Sequence, residues 1–96
     1  MVINIIDHVK TASTYEDGEI IYTLISKALH NEQQVTLSFK TIKSVPSAFI
    51  NASIIRLLEE FNFEYIREKI VFINTTKHIN ELIRSRFEFV ISKNTK

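Results

Sequence analysis

Two residues constrain this chain more than any others: it has one glycine, Gly18, and one proline, Pro46, in 96 positions. Tight hairpin turns need backbone at positive φ, which glycine supplies without steric cost. A barrel or sandwich of many short strands needs such turns every few residues, so this chain is not expected to be all-β. Its strands must be joined by longer connections, and helices are the usual ones.

The hydrophobic pattern agrees. Val2–Ile6 is a short β-branched run and reads as a strand. A polar stretch, Thr11–Gly18, leads into Glu19–Leu29, where Ile20, Ile21, Leu24, Ile25, Ala28 and Leu29 form a helical stripe with acidic residues ahead of it. Val35–Phe39 alternates apolar and polar residues, as a half-covered strand does. Lys40–Pro46 is a loop, with Ser44 or Ser47 as the expected cap of the next helix. Ser47–Phe61 is an apolar-rich helical stretch, and Asn62–Arg67 a connecting turn or short helix. Lys69–Asn74 is an almost unbroken apolar run, expected to be a central strand buried on both faces. Thr75 or Thr76 caps a last helix carrying Ile79, Leu82, Ile83, Phe87 and Val90. The sequence therefore predicts a single small βαβαβα domain over residues 1–91. It is of the α/β class, with a mainly parallel sheet, helices packed on it and a polar tail over 92–96.

Chemistry is sparse. There is no cysteine, which removes disulfides, thiolate metal sites and thiol nucleophiles. His8, His30 and His78 fall in different predicted elements and share no metal-ligand spacing. One glycine cannot make a phosphate-binding loop or a dinucleotide fingerprint. No Gly-x-Ser-x-Gly elbow frames a serine. The expectation is no enzyme, no cofactor, no metal and no small-molecule substrate. Net charge is +1, and Lys77, Arg84 and Arg86 alternate with Glu81 and Glu88, so the positive field that nucleic acid requires is diluted. The first seven residues show neither the basic region nor the apolar run of a signal peptide, and no stretch reaches transmembrane length. A cytoplasmic, membrane-free protein is expected.

Two features stand above this background. Along Ser47–Phe61, Ala48, Phe49, Ile50, Ala52, Ile54, Ile55, Leu57, Leu58 and Phe61 occupy more of the circumference than the roughly 100° stripe of a helix lying on a sheet. Neighbouring helices must cover the excess, or it faces a partner. The approach to that helix, Lys43-Ser44-Val45-Pro46-Ser47-Ala48-Phe49, follows the carboxyl end of a predicted parallel strand, where α/β folds carry their working loops.

This constellation resembles the STAS-like family, bacterial relatives of the anti-anti-sigma factors. Helix Asp17–Leu29, strand Val35–Phe39, the loop into Ser47-Ala48-Phe49, strand Ile70–Asn74 and a closing helix follow the family's order. The family loop reads Ser-Ser-Phe followed by an acidic pair. Ser47-Ala48-Phe49-Ile50-Asn51-Ala52 keeps the first serine and the phenylalanine and lacks both acids. In anti-anti-sigma factors an Asp-Ser-Ser-Gly motif carries the serine phosphorylated by a kinase-like ATPase. Pro46-Ser47-Ala48-Phe49 aligns there without the Asp or the Gly, which puts Ser47 at the phosphorylatable position.

The resemblance implies a non-enzymatic regulatory module that docks a protein partner, with a histidine-kinase-like ATPase as the class in view. Docking is expected through the 40–47 loop and the 47–61 helix, on Lys43, Ser44, Ser47, Phe49, Ile50, Ile54 and Leu57. The alternative is an inhibitor or accessory protein from a phage or mobile element, acting on a defence or nucleic-acid-processing complex. A homodimer through the 47–61 helix or the last helix, Ile79 to Ile91, would use the same apolar surplus.

Overall fold

The computed structural model describes residues 1–94. In chain order they form β1 (Val2–Asn4), a 3-10 turn (Ile5–Asp7), α1 (Tyr15–His30), β2 (Val35–Ser38), α2 (Ser47–Ser53), a second 3-10 turn (Ile55–Glu59), α3 (Phe63–Lys69), β3 (Ile70–Ile73) and α4 (Lys77–Asn94). The three strands make one parallel sheet in the order β1-β2-β3. The fold is α/β as expected. Helix α4 runs through Asn94, into the stretch 92–96 expected as a polar tail; residues 95 and 96 lie outside the described residues.

Register decides which side chains share a face. Ile3 pairs with Leu37 and Leu37 with Phe72, and this row lies under the helices: Ile3, Val35, Leu37 and Ile70 are buried. The alternate row, Val2, Thr36 and Val71, points the other way. Val2 is 70% exposed, Val71 50% and Ile73 38%. One face of the sheet is thus covered by helices, while most of the other is open. None of the six strand residues on the open face (Val2, Asn4, Thr36, Ser38, Val71, Ile73) is charged.

The apolar run 69–74 is therefore not the central strand. β3 is an edge, and its apolar surplus sits on the open face. The central strand is β2, whose alternating sequence had suggested half-cover.

The single glycine serves packing and not a turn. Gly18 lies in α1, and a Cβ there would come within 2.7 Å of both Ala52 Cβ and the Phe49 carbonyl oxygen of α2. The left-handed corners are made by other residues: Glu32 after α1, Thr41 after β2 and Asn74 after β3 have φ of 58°, 66° and 56°. Helix α1 starts at Tyr15, four residues before the expected Glu19. Thr14 accepts a hydrogen bond from the Asp17 N–H, and the Asp17 carboxylate accepts from the Thr14 N–H, which closes a capping box.

The predicted 47–61 helix is broken. Ser53 donates its hydroxyl to the Phe49 carbonyl at 2.7 Å, and the Ile54 N–H closes α2 with an α-type bond to Ile50. After this back-bond, which bends helices, the chain continues as the 3-10 turn over Ile55–Glu59. The change of direction explains the all-round apolar content. Phe49, Ile50, Ala52, Ile54 and Leu57 are all 0% exposed, enclosed by neighbouring elements on every side.

Candidate functional site

The loop after β2 is built to stay in place. Lys40 N–H donates to the Ser38 hydroxyl oxygen, Ile42 N–H closes a turn on Phe39 O, and Val45 is buried as an anchor. Thr76 Oγ1, which accepts from the Ile79 N–H at the start of α4, donates to the Lys43 carbonyl at 3.0 Å. Asn74 Nδ2 donates to Ser38 Oγ at 3.0 Å. The segments that follow β2 and β3 are thereby joined into one surface at the carboxyl end of the sheet.

Lys40, Lys43, Ser44, Pro46, Ser47 and Ala48 are exposed on that surface. Neither expected serine caps α2. Pro46 is the N-cap, in extended backbone, and makes no side-chain cap bond. Ser47 is the first helical residue, and its hydroxyl has no hydrogen-bond partner among the described residues. Proline fits just ahead of a helix because it fixes φ and its missing N–H is not required there.

The predicted docking residues divide into two groups. Lys43, Ser44 and Ser47 stand together at the surface. Phe49, Ile50, Ile54 and Leu57 are core side chains and offer a partner no surface in this fold. The expectation that they line an interface is corrected on that ground: the helix bearing them is covered by the rest of the domain.

A second cluster had no signature in the sequence. Glu60 accepts hydrogen bonds from Ser26 Oγ and Tyr22 OH, both at 2.6 Å, and His30 Nε2 stands 3.3 Å from the same carboxylate. The Ser26 and Tyr22 hydroxyls, in that order, hold the Glu60 carboxyl below its ordinary range, with His30 adding to the effect. Desolvation and the hydrogen bond to Glu60 raise the Tyr22 phenol. Arg56 lies 4.3 Å over the Tyr22 ring and 3.4 Å from Glu19, while Phe61 stacks between His30 and Tyr65. Tyr22, Ser26 and His30 fall on one stripe of α1, four residues being nearly one turn. The cluster fastens the 3-10 turn to α1: the carboxylate is occupied by donors and the Ser26 hydroxyl is committed to it. It has the form of a clasp.

A third feature is a groove of about 660 Å³ beside β3. Phe63 and Ile66 of α3 form one wall, Ile83 and Phe87 of α4 the other, and Ile70 and Phe72 the floor. Among the described residues there is no group of three or more His, Asp or Glu side chains placed to hold a metal ion, and no helix long and apolar enough to cross a membrane.

The architecture defines a parallel α/β domain whose strand ends present a pinned, exposed loop. Residues 17–80, two thirds of the chain, match the family described as a STAS-like domain of unknown function (DUF4325). The chain belongs to this STAS-like family. The matched span takes in α1, β2, the loop, α2, α3, β3 and the first turn of α4. No curated protein and no solved structure matches the chain.

Proposed function

We propose that this chain is a regulatory protein-interaction module that docks a partner protein through the Lys40–Ser47 loop and the exposed first turn of α2. The observation that carries the reading is the loop itself. It is exposed at the carboxyl end of the central strand, is held by hydrogen bonds to Ser38 of β2 and from Thr76 at the start of α4, and contains Lys43, Ser44 and Ser47. Loops positioned by a rigid scaffold are where α/β domains put recognition. Because the loop is ordered before binding, docking costs less conformational entropy than it would for a mobile segment. Membership of the STAS-like family supports the same reading.

The partner class that the resemblance suggests is a histidine-kinase-like ATPase. Ser47 has the geometry its part would require: a free hydroxyl on the first residue of a helix. A phosphate there would bring roughly two negative charges beside unpaired backbone N–H groups and alter the docking surface at its centre. Site-specific photo-crosslinking tests the proposal. A benzophenone side chain at Ser44 or Ser47 should capture one discrete partner in cells, and Lys43→Glu should abolish the capture. The same probe at Ile20, on the exposed side of α1, should not give that adduct. Identical adducts from all three positions would dismiss the loop as the docking site.

A further inference from the structure

β3 is an edge strand whose outer side meets no other strand among the described residues. The Ile73 carbonyl accepts from the Phe39 N–H at 3.1 Å, so Ile73 and, by the period of two, Val71 direct their backbone groups toward β2. Phe72 therefore turns its N–H and C=O outward. The Ile70 N–H is already taken by the Ile66 carbonyl. An unpaired edge is a template for another strand, and the apolar groove lies beside this one.

Charge indicates which strand fits. Arg84 and Glu88 stand one turn apart on the α4 wall of the groove, both exposed, and neither has an ion-pair partner among the described residues. The other charged residue of the lining, Arg67, pairs with Glu64 at 3.2 Å. A cation and an anion spaced along one helix complement themselves when the same helix runs antiparallel across a two-fold axis, because each then meets the opposite sign.

We propose that two copies of this chain associate through the β3 edge and the α3–α4 groove about a two-fold axis. β3 pairs antiparallel with its mate, and Phe72 exchanges N–H and C=O bonds with the Phe72 of the second copy. The two sheets become one of six strands. The phenylalanine rings close the floors of the facing grooves, and each Arg84 lies opposite the Glu88 of the other chain. About a dozen residues a side take part, fewer than the 20–30 of a standard interface, which puts the association in the class of small, reversible contacts. These residues are separate from the docking loop, so this inference and the docking reading stand or fall apart.

Sedimentation velocity from about 1 µM to about 1 mM brackets such an equilibrium. Mass should rise from 11.2 kDa toward twice that value. Arg84→Glu or Glu88→Arg alone should weaken the dimer at least about tenfold, since each sets like charges face to face. The double variant R84E/E88R should recover it, because the swapped pair is again self-complementary. Circular dichroism confirms that each variant is folded, and Val2→Lys serves as a control on the open sheet face. A monomer at every concentration overturns the proposal, as does failure of the double variant to recover. A dimer broken by Val2→Lys but indifferent to Arg84→Glu overturns it too, and moves the interface to the open face.

Discussion

Replacing Gly18 by alanine sets two well-measured effects against each other. Within a helix, alanine is favoured over glycine by about 1 kcal/mol, so an unobstructed site would be stabilised. Gly18 is obstructed. The new methyl would lie 2.7 Å from Ala52 Cβ and from the Phe49 carbonyl oxygen, against an ordinary contact beginning at 3.4 Å. Restoring ordinary contact moves α2 away from α1 by about 0.7 Å, and a gap of that size forfeits roughly a quarter to a half of each affected van der Waals contact. Phe49, Ile50 and Ala52 are fully buried beside this crossing and share the loss. Overpacking of this kind costs about 1–3 kcal/mol, so after the helix gain the net is a destabilisation of up to about 2 kcal/mol. In a domain of this size that lowers Tm by about 4–8 °C per kcal/mol. Thermal melts followed by circular dichroism at neutral pH measure it. Ala52→Gly in the Gly18→Ala background should recover part of the loss, because it removes one obstruction and leaves the Phe49 carbonyl. A Gly18→Ala protein that melts above wild type would refute the close α1–α2 crossing.

Three further outcomes can be measured on the same instrument. Ile54→Asp places a carboxylate at a 0% exposed position and should abolish the cooperative melt, whereas Ser47→Asp should leave Tm within about 0.5 kcal/mol equivalent of wild type. Thr41→Gly should stabilise by about 0.5–1 kcal/mol, because a β-branched residue is held at φ 66°; a lower Tm would show that Thr41 is not strained there. Glu60→Gln tests the clasp through pH. The folded carboxyl is held below its ordinary range by Ser26 and Tyr22, so its contribution is full above the ordinary carboxylate range and is lost as pH falls through the folded value. The Tm gap between wild type and the variant should be open at neutral pH and narrow on acidification. A gap that stays constant with pH would contradict that assignment.

The sequence carried the helix and strand order because each period is local. Ile21, Ile25, Ala28 and Leu29 mark α1 within a few turns, and the scarcity of glycine rejects hairpins at once. The start of α1 was also legible, since Thr14 and Asp17 are spaced as a capping box; the polar look of Thr11–Gly18 hid it. Strand order was not legible. An apolar run fits a doubly buried strand and an edge strand with an uncovered face equally well, and register decides between them only through pairing. The break at Ser53 has one weak local sign, a serine four residues after Phe49 whose hydroxyl can reach the carbonyl behind it. Of the candidate site, the exposure of Lys43, Ser44 and Ser47 was legible because a loop after a parallel strand has a fixed address in α/β folds. The Glu60 clasp was not found, because Tyr22 and Ser26 lie 38 and 34 positions from Glu60 and only folding joins them. The groove is equally non-local, drawing on α3, β3 and α4 at once.

One hydroxyl, that of Thr76, caps α4 and holds the Lys43 carbonyl. The 40–47 loop and the last helix therefore share one tie. If α4 shifts along its axis, the Ile79 and Lys43 bonds strain together, and a pull on the loop reaches the helix by the same route. Where binding at one end changes the affinity at the other, thermodynamic linkage makes the factor the same in both directions. Thr76→Val would remove both bonds at once while nearly preserving the shape of the side chain, releasing the loop and the helix start from their shared tie.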